Sequence, residues 1–407
     1  MSIPDLPASR HLDNVRYEIR GALARRAEQL ERDGYEIIKL NIGNPGAFGF
    51  RMPETMRRAM VENLGAAEAY CHQKGIFPAR EAVVLQQQNR GVMDVTADDV
   101  FIGNGVSELI MMCMRALLNP ADEVLVPCPD YPLWTASVSI HGAKPVHYPC
   151  PPERDFQPDI EAMRKLITDR TRAIVIINPN NPTGAVYSEE LLRQMVELAE
   201  EHHLVIFADE IYDEMLFEDA KYIPIATLAH HTLCATFSGL SKVYRACGLR
   251  VGWASFSGEK AHATGYLDAI ELLASLRLCA NVPGQWAVQT ALGGYQSIHA
   301  LTDPGGRLFE SRRALLDGIE KSQYLSVVAP AGALYAFVRC DTQKIPNFDD
   351  QSFGLDLLER RHVLISPGSS FNVPYTDHFR LTLLPDAKIM TSVLEKIESL
   401  LDEYVEA

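Results

Sequence analysis

Residues 173–184 read AIVIINPNNPTG, an unbroken apolar run that passes straight into a cluster of turn formers. A run without polar alternation fits a strand covered on both faces, the environment of a parallel sheet. The Asn and Pro residues that follow break it and mark a loop at its carboxyl end. The stretch LVIFA at 204–208 repeats the pattern and is closed by Asp209. Between the two, Glu189–Glu201 reads as a helix. Further out, Val100–Ile102 is a short apolar strand, followed by the loop Gly103-Asn104-Gly105. Ser107–Leu118 has helical periodicity and ends before Asn119-Pro120, and Glu123–Val126 is strand-like until Pro127. Leu233–Phe237 and Gly252–Phe256 are shorter strands. Strand and helix in alternation predict an α/β domain with a mostly parallel sheet.

The ends of the chain differ. Residues 11–34 read as a helix rich in Arg and Glu, and two long helices are predicted around 307–321 and 387–405. Strand-like stretches lie near Leu334–Val338, Val363–Ile365 and Phe379–Leu383. The expected organisation is a large domain over 50–300 and a smaller α+β domain from 1–49 and 301–407. Repeats, low-complexity tracts and flexible linkers are absent from the sequence.

Composition narrows the partners. The chain has 407 residues, 47% hydrophobic and 22% charged, enough for a sizeable core. Its net charge of −15 argues against nucleic acid or an anionic membrane, both of which need a concentrated basic surface. Small anionic substrates remain open to it, because a few arginines can reverse the field inside a cleft. Cysteines at 71, 113, 128, 150, 234, 247, 279 and 340 form no C-x-x-C pair and read as buried free thiols. The charged N-terminus has no apolar signal core, and no apolar run approaches the roughly 18 residues of a membrane span. The expectation is a soluble cytoplasmic protein.

Chemistry concentrates in 238–252, SGLSKVYRACGLRVG. Lys242 stands among small and hydroxyl residues, with Arg250 eight positions on. An aldehyde cofactor needs an amine that loses its proton near neutrality, which partial burial and nearby positive charge favour. Arg250 is a fixed cation able to fork onto a phosphate. The loop Gly103–Ser107 follows a strand and opens a helix, so its N–H groups form an anion site. Read alone, this is equally a plain strand-to-helix turn. It is not a dinucleotide fingerprint, because Glu108 stands where the third glycine of G-x-G-x-x-G would fall. Asp209, at the carboxyl end of a predicted parallel strand, points to the crevice where such sheets bind ligands, or else caps the next helix.

The lysine segment resembles the signature of the fold-type I, class I/II aminotransferases. KLNIGNP (39–45), GNGVSELI (103–110), VPCPDYPLWTA (126–136), IINPNNPTGAVYS (176–188), FADEIYD (207–213), GLSKVYR (239–245) and ALGGYQS (291–297) extend the likeness over nearly the whole chain. Within that family it is similar to the bacterial alanine (glutamate–pyruvate) aminotransferases. The resemblance implies a seven-stranded, mostly parallel sheet between helices and a pyridoxal 5′-phosphate held as a Schiff base on Lys242. Gly105, Val106, Ser107, Ser241 and Arg250 would then take the phosphate. Asp209 would keep the pyridine nitrogen protonated, Tyr131 would stack on the ring, and Asn181 and Tyr212 would contact its phenolic O3′. Arg380, Asn181 and the Gly43 N–H would bind the substrate carboxylate. Tyr17 and Arg20 would belong to a lid, with Arg20 meeting a distal carboxylate. Tyr70 would reach the neighbour's phosphate, making the protein a homodimer with shared sites. Two positions depart from the family pattern. Gly239 replaces a common serine, leaving the phosphate hydroxyl to Ser238 or Ser241, and Arg245 replaces a small apolar residue.

The implied reaction is ping-pong transamination from an L-amino acid, by resemblance L-alanine, to 2-oxoglutarate. Lys242 would serve as general base and acid. Another amino donor (aspartate, an aromatic or a basic amino acid), a β-elimination or other lyase reaction, and a non-catalytic ligand sensor are the competing readings. The sensor lacks support, since this chain carries no added DNA-binding module and Lys242 is intact.

Overall fold

The apolar runs become the strands of one sheet in the computed structural model, which describes residues 5–13, 15, 17 and 21–406. In chain order the strands are β1 (Ile38–Lys39), β2 (Val100–Gly103), β3 (Glu123–Cys128), β4 (Lys144–Pro149), β5 (Thr171–Ile177), β6 (Val205–Asp209) and β7 (Leu233–Gly239). They continue with β8 (Gly252–Gly258), β9 (Leu325–Val327), β10 (Tyr335–Cys340), β11 (Val363–Leu364), β12 (Ser366–Pro367) and β13 (His378–Thr382). Seven form the main sheet in the order β2-β8-β7-β6-β5-β3-β4. Only β8 runs antiparallel to its neighbours there. The mostly parallel α/β sheet expected from the sequence is therefore present.

The middle strands are apolar because helices cover both faces. Ile174 and Ile176 of β5 point into one buried cluster, Val175 and Ile177 into another. Each such side chain contributes about 1.5–3 kcal/mol on burial. Helix Glu189–Glu201 shows how the covering layer is specified. Ser188 Oγ caps it by accepting from the Leu191 N–H, and Glu189 and Glu190 favour its positive end. Its buried residues are Leu192, Met195, Val196, Leu198 and Ala199, and Leu192, Met195, Val196 and Ala199 among them fall in one helical stripe.

The C-terminal strands make a separate antiparallel sheet, β12-β13-β10-β9, backed by helices Arg307–Lys321 and Ala387–Glu406. The short β1 pairs in parallel with β11, so the chain near residue 38 is tied to the C-terminal part.

Three expectations need correction. The N-terminal helix spans Ala22–Arg32, not 11–34. Its charged sequence has helical propensity, but packing sets its length: only the stretch carrying Leu23, Ala27 and Leu30 meets Leu358 and Leu364. Strand β3 runs through Pro127 to Cys128. Pairing with β5 ends at Leu125, and beyond it β3 pairs with β4 alone, where a residue without an N–H is tolerated. Of the eight cysteines, Cys113, Cys150, Cys234 and Cys340 are buried while the other four are half-exposed. No helix among the described residues is long and apolar enough to cross a membrane.

Candidate active site

Every loop singled out in the large sheet leaves the carboxyl end of a strand: 103–107 after β2, Tyr131 after β3, 178–184 after β5, Asp209 and Tyr212 at β6, and 239–242 after β7. That is where open α/β sheets bind ligands. They line one cavity of about 1110 Å³, closed on the other side by Gly43 and by Arg380 of β13.

Lys242 donates from Nζ to the Gly43 carbonyl at 2.7 Å. Asp209 is buried, and its Oδ2 accepts from Trp134 Nε1 at 2.9 Å. Burial pushes its carboxyl up to about 6, against the Trp134 bond and the attraction of Lys242. Tyr212 is buried with its hydroxyl 3.0 Å from that of Tyr335.

One wall is an anion cradle. Gly105 has φ 85° and precedes helix Val106–Leu117. That conformation favours glycine, and a Cβ there would lie 2.3 Å from Arg250 Nη2, so any side chain would displace the guanidinium. Arg250 itself adopts φ 53°, held by Nη1 on the Cys247 carbonyl at 3.0 Å. Val106, Ser107, Ser241 and the Arg250 guanidinium face the same cavity. Of the two serines left open by the sequence, Ser241 lines the cavity, whereas Ser238 is buried inside β7 opposite Trp253. Gly239 has no room for a side chain: a Cβ would sit 2.8 Å from the Val251 carbonyl and 2.9 Å from the Gly252 Cα. Arg245 also lines the cavity, and its guanidinium donates to the Val243 carbonyl and to Ser297 Oγ, both at 2.6 Å. Glu108, which spoils the dinucleotide pattern, accepts from the Asn104 N–H at 2.7 Å and so closes the same loop.

The opposite wall is built round Arg380. Its Nη1 donates to Asn181 Oδ1 at 2.8 Å, and Nη2 donates to the Asn41 carbonyl. Its plane is held by Tyr335 and Phe371, whose rings lie 4.3 Å and 4.6 Å from the guanidinium. Nε is buried without a hydrogen-bond partner. Burial lowers the Arg380 pKa, against the attraction of Tyr335, Tyr212 and Tyr131. Tyr17 reaches over the cavity to Tyr131, hydroxyl to hydroxyl at 3.0 Å. Arg20 lies outside the described residues. Tyr70 is the one described candidate away from the cavity: it is 78% exposed, beside Cys71 and Gln73, and Gln73 bonds Glu271 at 2.8 Å.

Three contributors carry no signal of their role in the sequence: Trp134 on Asp209, the Asn41 carbonyl on Arg380, and Tyr335. The last is the most connected. Burial opposes ionisation of its phenol, but the Lys242 and Arg380 cations and the Tyr212 hydroxyl outweigh burial and draw it below the ordinary tyrosine range. Its local sequence, LYAFV at 334–338, is that of a strand and nothing more.

Comparison with known proteins agrees with this geometry. A family model described as "Aminotransferase class I and II" matches residues 35–397. The glutamate-pyruvate aminotransferase AlaA of Escherichia coli K12 is 51% identical over 396 residues, covering 97% of this chain and 98% of that one. The crystal structure of an aminotransferase from E. coli superposes with a TM-score of 0.97 at 50% identity, covering 98% and 99% of the two chains. Alanine aminotransferase from Pyrococcus furiosus gives 0.92 at 36% identity, covering 98% and 100%. With nearly the full length matched and the cavity residues at the carboxyl ends of the strands, this chain belongs to the class I and II aminotransferases.

Proposed function

We propose that this aminotransferase binds pyridoxal 5′-phosphate at Lys242 and moves the amino group of L-alanine to 2-oxoglutarate, giving pyruvate and L-glutamate, as a homodimer with shared sites. The observation that carries the reading is that Lys242, Asp209, Arg250 and Arg380 converge on one cavity. The two relatives named for alanine or glutamate–pyruvate transfer support the choice of substrates. The division into a large domain over 50–300 and a small one from 1–49 and 301–407 is part of the proposal, supported by the β1–β11 pairing.

The residues fit the cofactor. The Gly105 cradle, with the Arg250 guanidinium 2.3 Å from where a Cβ would stand, suits a phosphate. The Arg380 Nε without a partner suits a carboxylate brought by substrate. When bound, pyridoxal phosphate supplies an aldehyde that joins amines and a ring that draws electrons from the adjoining carbon.

The protein's own part follows from position. Arg250, Ser241 and the N–H groups of Gly105, Val106 and Ser107 hold the phosphate. Tyr131 covers the ring face, while Asn181 and Tyr212 hold its phenolic oxygen. Asp209, fixed by Trp134, shares a proton with the ring nitrogen. A cation there also restores the ionised carboxylate that burial disfavours. Arg380, with Asn181 and the Gly43 N–H, fixes the substrate carboxylate and so orients its Cα–H bond. Lys242 Nζ, placed beside the Gly43 backbone, would be the amine that takes that proton and gives it back, as general base and acid. Tyr17, bonded to Tyr131, excludes water from above.

The test is an absorbance titration of the protein, loaded with pyridoxal phosphate, by L-alanine and then 2-oxoglutarate, beside Lys242→Ala. The cofactor band is expected to be lost with alanine, to recover with the keto acid, and never to cycle in the variant. A band that ignores alanine and answers another amino acid moves the substrate. Ammonia released without a keto acid reveals a lyase, and a protein that takes up no cofactor ends the reading.

A further inference from the structure

Tyr335 was given only one part above, a ring under Arg380, yet its side chain touches each end of the cavity. Its hydroxyl is 3.0 Å from that of Tyr212, with the rings edge-on at 83°. Arg380 lies over its face at 4.3 Å. In the β10–β13 register Tyr335 stands opposite Thr382, which makes Arg380 its diagonal neighbour on the same face. A Cβ on Gly43 would fall 2.2 Å from the Tyr335 hydroxyl. The backbone that accepts the Lys242 amine is thus pressed against the same phenol. The charged and titratable groups facing it are Tyr212, Lys242, Arg380, Cys247 and Tyr131.

A phenol has one hydrogen to give. If Tyr212 spends it on Tyr335, none remains for a ligand. If Tyr335 gives to Tyr212, the Tyr212 hydrogen stays available, and receiving a bond makes Tyr212 the stronger donor. The 3.0 Å separation admits both directions, but a Tyr212 that donates to the cofactor's phenolic oxygen has no second hydrogen, so in the loaded protein its bond with Tyr335 is one that Tyr212 accepts. The Lys242 and Arg380 cations favour the same direction, since they draw the Tyr335 phenol below the ordinary tyrosine range despite its burial.

Resting on the function proposed above, we infer that Tyr335 is a positioning residue: its hydroxyl donates to Tyr212, whose own hydrogen is thereby kept for the cofactor's phenolic oxygen, and its ring seats Arg380 for the substrate carboxylate. One side chain holds the ends of the cavity in a fixed relation.

The two halves separate by substitution. Tyr335→Phe keeps the ring and removes the hydroxyl. Tyr212 then donates less strongly, the phenolic oxygen is less stabilised as an anion, and the pKa at which the cofactor absorbance band titrates rises by about half a unit or more. Its KM for L-alanine stays within about twofold, because the cation–ring contact survives. Tyr335→Leu, with Tyr335→Met as a second variant should the first not fold, removes the ring and raises that KM by about five- to tenfold. A band pKa that falls in Tyr335→Phe means Tyr212 had been donating to Tyr335, and an unmoved one means the hydroxyl does not matter. Either overturns the first half. An unchanged KM in the ringless variants overturns the second. A wild-type protein that takes up no pyridoxal phosphate overturns the functional reading and this inference together; a normal wild type beside an unshifted Tyr335→Phe overturns this inference alone.

Discussion

Gly105 shows how much can hang on a missing side chain. Its φ of 85° strains any other residue, and a Cβ there would displace the Arg250 guanidinium, whose Nη2 it would meet at 2.3 Å. Gly105→Ala is expected to cost about 1–3 kcal/mol in strain and to weaken cofactor retention about tenfold or more. Dialysis followed by the absorbance band measures it. Asp130 is a different case. It is fully buried beside Tyr131, and burial pushes its carboxyl up to about 7 despite bonds from Thr135 Oγ at 2.6 Å and Asn372 Nδ2 at 2.7 Å. A folded-state pKa raised above the unfolded value of about 3.9 means stability present below that value and lost as pH rises toward the folded one. Asp130→Asn removes the titrating group. The difference in Tm between variant and wild type should therefore shift in the variant's favour from about pH 4 to about pH 7 and stay level above. A difference that does not move with pH shows that Asp130 keeps an ordinary pKa.

Helix Val282–Gly293 carries its site function at its first turn. Asn281 caps it through Oδ1 on the Gly284 N–H at 3.0 Å. The same side chain donates from Nδ2 to the Arg250 carbonyl at 2.8 Å, and its N–H donates to Asn104 Oδ1 at 2.8 Å. One residue thus joins a helix start, the loop before helix Val106–Leu117 and the left-handed Arg250. Asn281→Ala is expected to lose about 1–2 kcal/mol of stability. It should also speed cofactor loss, since Arg250 is released with the cap. Thermal melts read the first effect and stopped-flow capture of released cofactor the second. Cofactor loss at the wild-type rate in a destabilised variant shows that Asn281 is a cap alone.

On the scale of the whole molecule, the proposed homodimer turns on the exposed Tyr70. Three residues on, Gln73 bonds Glu271 of helix Thr264–Leu276, which leaves Leu272 and Leu276 exposed at 62% and 74%. If Tyr70 completes the partner's site, Tyr70→Ala and Lys242→Ala are each inactive alone and recover activity when unfolded and refolded together. The mixed dimer then holds one site with both residues. No recovery on mixing, with dimers formed, shows that Tyr70 does not act across chains.

What residues close in the chain do together is legible in the sequence itself. The unbroken apolar runs determined β5 and β6, because a strand covered on both faces tolerates no alternation. The small-residue segment round Lys242 pointed to an amine chemistry locally. The Gly103–Ser107 loop and Asp209 at a strand end, read alone, fitted a plain turn and a helix cap equally well, and the family resemblance chose between the readings. The prolines of β4 hid a strand, since an edge position excuses residues that propensity forbids. Only tertiary structure decided what joins them. Arg380 and Asn181 are 199 positions apart, Trp134 and Asp209 are 75 apart, and Tyr335 and Tyr212 are 123 apart. Contacts between distant segments leave no period and no spacing in the sequence, and the buried groups at these contacts are fixed by whichever strand ends the fold brings together.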